Sequence, residues 1–205
     1  MEIYLVRHGE TGGNVARRHQ AEDTQLSFKG VQQAKDVADV IKDCKPTHLV
    51  TSNLVRALET AQVIGEVCDL VPDTSRHFIE LVRPVHLYGN HHRSFKSIFF
   101  YMQWYLGIGA GKENKGESYK ELRERFIIAE EFLAQYPNDA RVVVVSHAVF
   151  INLFIAHLCR NKRALNPFKV VLVFKEILSM PNAHVTKLHF DTKENTGICA
   201  WSASK

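Results

Sequence analysis

Arg141-Val142-Val143-Val144-Val145-Ser146-His147 sets four consecutive valines between an arginine and a Ser-His pair. A run of β-branched residues with no polar interruption reads as a strand buried on both faces, and so as part of a layered sheet with helices packed against it. His147 then stands at the carboxyl end of that strand. In open α/β sheets, ligands collect at the carboxyl ends of strands.

Working outward, Ile3-Tyr4-Leu5-Val6 reads as a first strand and Thr47 to Thr51 as a second. Ser27 is expected to cap a helix reaching about Cys44, with Val31, Ala34, Ala38 and Ile41 on one apolar face. Pro46 marks the exit from that helix, and Ser52 is expected to cap the next one, Leu54 to Val67. Ser118 and Glu121 form a capping-box pattern at the start of a long helix that ends near Gln135, before Pro137-Asn138. A helix follows the valine strand from about Phe150. Val185 to Phe190 and Ile198 to Trp201 read as late strands, a hairpin across the Asp191–Gly197 turn. The segment 83–116 breaks the rhythm. It carries Pro84, an aromatic cluster from Phe95 to Tyr105, and then Gly107, Gly109 and Gly111, and it reads as an inserted helical segment whose aromatics are either core or part of a lid over the site.

The chain of 205 residues has length for one α/β domain, 1–205, but little for two. The formal net charge of +4 is spread among mixed charges, too mild to imply nucleic acid. The first apolar run is too short for a signal peptide or a membrane span, so the expected address is cytoplasmic. Cys44, Cys68, Cys159 and Cys199 are widely spaced, and free thiols are expected. His86, His91 and His92 lack the carboxylate or cysteine partners of a metal site and are expected on the lid or surface. Apolar strands near the C terminus leave a homodimer open.

His8, Ser52 and His147 all fall at predicted strand ends, so the chain order itself gathers Arg7, His8, Arg56 and His147. Two guanidinium forks suit the oxygens of a phosphate monoester. A neutral imidazole can attack phosphorus, and the positive groups stabilise charge on the equatorial oxygens. A carboxylic acid is a suitable proton donor to the leaving oxygen, and Glu80 is the candidate.

Arg7-His8-Gly9-Glu10-Thr11 with Asn14 resembles the signature of the histidine phosphatase superfamily, the phosphoglycerate mutase-like family. Leu26 to Ala34, Ser52 to Ala61, Gly116-Glu117-Ser118 and Val143 to His147 are similar to further family motifs in the same order. The resemblance implies a central, mainly parallel mixed sheet in a three-layer α/β fold. It implies a phosphorylated nucleophile at His8, a phosphate pocket of Arg7, Arg56, His147 and Asn14, and a proton donor at Glu80. No metal and no cofactor are implied. Two departures stand out: Ala148 occupies a position where the family usually has glycine, and His19 to Asp23 lacks a glycine often found there. The expected activity is metal-independent hydrolysis of a small phosphorylated substrate. Mutase-type transfer and a non-catalytic phospholigand-binding scaffold are the alternatives.

Overall fold

The computed structural model describes residues 1–108, 116–159 and 164–189. Among them, five strands form one mixed sheet: β1 (Glu2–Arg7), β2 (His48–Thr51), β3 (Asp73–Thr74), β4 (Arg141–Ser146) and β5 (Val185–His189), in the order β3-β2-β4-β1-β5. The first four run parallel to one another, and β5 pairs antiparallel with β1 at the edge. The sheet is therefore mixed and mainly parallel, as the sequence led one to expect.

The valine strand is its middle. The pleat turns Val142 and Val144 to one face and Val143 and Val145 to the other, and the two pairs are fully buried in different apolar clusters. Full burial of such a side chain is worth about 1.5–3 kcal/mol of transfer free energy. On one face lie α2 (Phe28–Asp43) and α3 (Val55–Cys68). On the other lie α4 (Phe95–Leu106), α5 (Tyr119–Leu133), α6 (Ala148–Leu158) and α7 (Pro167–Ser179). A single turn, α1 (Gly12–Val15), follows β1.

Ser27 caps α2 and the Ser118–Glu121 capping box opens α5. Val31 is 39% exposed, and Val37 takes its place on the buried face of α2. That face also holds Gly30, because the helix approaches the chain after β1 so closely that a side chain has no room. α6 begins two residues earlier than expected, directly after His147. Residues 198–201 and the glycines 109 and 111 lie outside the described residues. Cys44 and Cys68 are free, whereas Cys159 is disulfide-bonded. That corrects the expectation of a free thiol at Cys159, and Cys199 lies outside the described residues. Among the described residues no helix is long and apolar enough to cross a membrane.

Candidate active site

Three parallel strands end side by side, with Arg7 paired to Ser146 and Thr51 to Val145. That register makes neighbours of the next residues, His8, Ser52 and His147. His8 N–H donates to the Ser146 carbonyl and Ser52 N–H to the Val145 carbonyl, each at 3.0 Å. The His8 and His147 rings lie 5.1 Å apart, tilted by 55°. His147 Nε2 is 2.8 Å from Ser52 Oγ. Ser52 does not cap α3, as the sequence suggested. The cap position falls at Leu54 with no side-chain bond, and the Ser52 hydroxyl accepts from Leu54 N–H while it engages His147.

The imidazole of His8 is buried, with Nδ1 2.6 Å from the Gly9 carbonyl oxygen. A carbonyl only accepts, so Nδ1 carries the proton and Nε2 keeps the lone pair. Burial first, then the charges of Arg56 and Arg7, hold its pKa well below the usual histidine value. The group is a neutral imidazole with its free nitrogen set by a backbone bond. His147 is lowered by the same causes, burial first and Arg56 next.

The turn after His8 is fixed from several sides. Gly9 N–H donates to Thr60 Oγ1 at 3.1 Å, and Glu10 N–H to Gln33 Oε1 at 2.8 Å. A Cβ on Gly9 would sit 2.4 Å from the Gly30 carbonyl oxygen, and one on Gly30 would sit 2.1 Å from that of Glu10. Glycine at both positions is a packing requirement, which accounts for one letter in each of two motifs. Thr11 and Asn14 form a capping box on α1, in which Asn14 Oδ1 accepts from Thr11 N–H at 3.1 Å. The carboxamide is thereby oriented, and its Nδ2 remains as a donor.

Arg56 donates to the Ala21 carbonyl at 3.0 Å, and Arg7 to the Met180 carbonyl. Burial pushes the Arg56 pKa down to about 10, against the opposing charge of Glu80. Glu80 Oε1 accepts from Leu81 N–H at 2.9 Å and from Phe150 N–H, in the first turn of α6, at 3.2 Å. The loop bearing Glu80 is clamped by an ion pair that the sequence reading did not single out. Arg125 Nε donates to Glu117 Oε2 at 3.1 Å and Nη1 to the carbonyls of His77 and Ile79 at 3.1 and 2.8 Å. Glu117 Oε1 in turn accepts from Val82 N–H at 2.8 Å. The only sequence signal was helical spacing, eight residues apart on either side of a capping box.

A cavity of about 1030 Å³ opens above this floor. Arg7, His8, Asn14, Arg56 and Glu80 line it, and His147 stands behind His8 without lining it. Ala148, where a glycine was expected, forms part of the wall. His91 and His92 also line the cavity, whereas His86 does not. Sequence reasoning missed Arg83 and His19. Arg83 donates to the Leu81 carbonyl at 3.2 Å and to the Tyr101 hydroxyl at 3.3 Å. His19 is 2.9 Å from Ser97 Oγ, and burial and nearby Arg83 lower its pKa to about 3. Nothing in the sequence around His19 marks a partner 78 positions away. Among the described residues no group of three or more His, Cys, Asp and Glu is placed to hold a metal ion.

A family model described as "Histidine phosphatase superfamily (branch 1)" matches residues 3–199. A probable phosphoglycerate mutase GpmB of Proteus mirabilis is 30% identical over 163 residues, 76% of this chain and 74% of that protein. The solved mycobacterial glucosyl-3-phosphoglycerate phosphatase, in complex with VO3, is similar with a TM-score of 0.68 and 26% identity, covering 91% of this chain and 92% of that one. A mutant phosphoserine phosphatase of Entamoeba histolytica, solved with phosphoserine, shares the fold with a TM-score of 0.77 at 23% identity, over 99% and 96% of the two chains.

Proposed function

The chain belongs to the histidine phosphatase superfamily, and on that premise we propose that it hydrolyses phosphate monoesters through a phosphohistidine on His8, without a metal. One observation carries the reading: Nδ1 of a buried, neutral His8 is tied to the Gly9 carbonyl, leaving Nε2 as a nucleophile beside a cavity lined by Arg7 and Arg56.

The steps follow from the residues. Nε2 attacks phosphorus in line, and the P–N bond forms as the bond to the ester oxygen breaks. Glu80 gives that oxygen its proton. Water then attacks the phosphohistidine and passes a proton to Glu80, and the electron pair of the P–N bond returns to Nε2. Arg7, Arg56 and the Asn14 amide hold the phosphoryl oxygens as charge spreads over them. His147, its Nε2 committed to Ser52, backs His8 from behind the cavity floor. Residues 83–108 act as the lid of one domain, and β5, at the sheet edge among the described residues, is the surface on which a homodimer would form.

Mutase-type transfer is the second reading, favoured by the name of the Proteus relative. It shares the first half-reaction and differs in the acceptor, a second oxygen instead of water. The test is hydrolysis of an aryl phosphate by wild type and His8→Ala, with and without chelator. Chelator-resistant turnover that disappears in His8→Ala is expected. Turnover surviving in His8→Ala would overturn the mechanism. Interconversion of phosphoglycerates faster than release of phosphate would shift the assignment to a mutase.

A further inference from the structure

We infer that the ester handled here has a large apolar or ring-bearing alcohol, seated against α4 and α7, and not a small polar acid; this rests on the phosphatase reading of the same cavity. The volume of about 1030 Å³ far exceeds what a phosphoryl group occupies and lies at the upper end for drug-sized ligands. The cavity is also divided in character. Arg7 and Arg56 line it with His8, and Arg17, Arg18, Arg83 and Arg93 add further positive charge to the lining, while α4 and α7 contribute an apolar wall.

That wall is unusual for a surface helix, which normally turns polar residues to water. Ile98, Met102 and Leu106 fall four apart on one face of α4, all line the cavity, and are 59%, 50% and 60% exposed. Tyr101 and Tyr105 lie on the same face, yet their hydroxyls are directed elsewhere. The Tyr101 oxygen accepts from Arg83, and the Tyr105 hydroxyl donates to the Leu165 carbonyl at 3.0 Å. Both therefore offer ring surface instead of polar atoms. Ile177 and Val170 of α7 complete the wall. A contiguous exposed apolar patch marks a binding surface. Its continuity with the His8 end makes the occupant the body of the molecule whose phosphate reaches His8.

The test is calorimetric binding of n-alkylphosphonates, from butyl to octyl, to the wild-type protein. These carry the anionic head and cannot be hydrolysed. A fully buried methylene is worth about fourfold in Kd, so octyl is expected to bind at least roughly tenfold tighter than butyl even at partial burial. An Ile98→Asn/Met102→Gln double variant should flatten the dependence on chain length. A Kd independent of chain length, or a dependence that persists in the double variant, would overturn the inference. Hydrolysis of the matching alkyl phosphates is measured in parallel. Hydrolysis with a flat Kd series removes the apolar seat and keeps the phosphatase. A steep series with no hydrolysis of any ester keeps the seat and removes the phosphatase.

Discussion

The floor of the cavity and its roof are built on different principles. On the floor, His8, Arg56, Ser52 and His147 are each 0–4% exposed, and each is tied to backbone or side chain. On the roof, Ile98, Met102 and Leu106 of α4 are about half exposed. The floor's geometry is a consequence of sheet register, since three parallel strands that end together must deliver their next residues to one place. The roof is a helix laid across an opening. On the function proposed above, the floor does the chemistry of any ester and the roof selects among esters.

The contrast breaks first, and most, at His8. His8→Ala should lower kcat on an aryl phosphate by on the order of 10⁴-fold or more, whatever the alcohol. A loss that depended on the alcohol would mean that floor and roof are not separable. Arg56 comes next. Arg56→Lys keeps the charge but loses the rigid fork and the bond to Ala21, and a loss of about 10²–10³ in kcat/KM is expected for all substrates alike. Near-wild-type rates in Arg56→Lys would reduce the guanidinium to a point charge.

The third test reaches the support beneath the floor. Arg125 and Glu117 are 12% and 11% exposed, and together they hold the backbone on both sides of Glu80. Arg125→Met leaves a buried carboxylate unpaired, which should cost about 3–5 kcal/mol in urea unfolding. Adding Glu117→Gln should recover part of that stability but not the lost kcat, because the loop carrying Glu80 stays unclamped. Full recovery of kcat in the double variant would show that Glu80 does not depend on this clamp.

A smaller effect separates the two regions by pH. His8 and His147 in the floor, and His19 beside the roof, all have folded-state pKa values below that of an unfolded histidine, near 6.5, with His19 lowered to about 3. Folding therefore favours the neutral rings. Their contribution is fully present above about pH 6.5 and is lost as pH falls through that value toward the folded pKa values. Urea midpoints should drop steadily from about pH 6.5 to about pH 4, and His19→Asn should make the drop shallower. An unchanged slope in His19→Asn would place the acid sensitivity elsewhere, in the floor histidines or in His92 and His184, whose pKa values burial also lowers.

The same division governs what the sequence discloses. Strand β4 was legible because four valines leave no polar face, and the strand ends named His8, Ser52 and His147. Gly9 and Gly30 were legible as letters of motifs, although their reason, a mutual approach that leaves no room for a Cβ, is a fact of packing. Ser52 shows the limit. Its position suits a helix cap, and only the neighbouring strand decides that its hydroxyl serves His147 instead. Arg83, His19 and the Arg125–Glu117 pair escaped notice because what they hold lies in other elements of the chain. The apolar face of α4 was visible as an aromatic cluster, but a periodic face has the same pattern whether it meets a core or a cavity.

Ala148 tests how far the floor tolerates a change of its own. It is the first residue of α6, in helical conformation, so nothing in its backbone demands the glycine usual at this position. Glycine there would add unfolded-chain entropy, and Ala148→Gly should lower stability by about 0.5–1 kcal/mol. The residue is only 6% exposed and lines the cavity next to Val149. If the phosphoryl group is bound by the arginines and the Asn14 amide, removing the methyl changes kcat/KM by less than about threefold, within about 0.7 kcal/mol of transition-state binding. A gain of about tenfold or more would show that the methyl keeps the phosphoryl group away from the start of α6. The alanine would then be a device that slows the floor while the roof still chooses the ester.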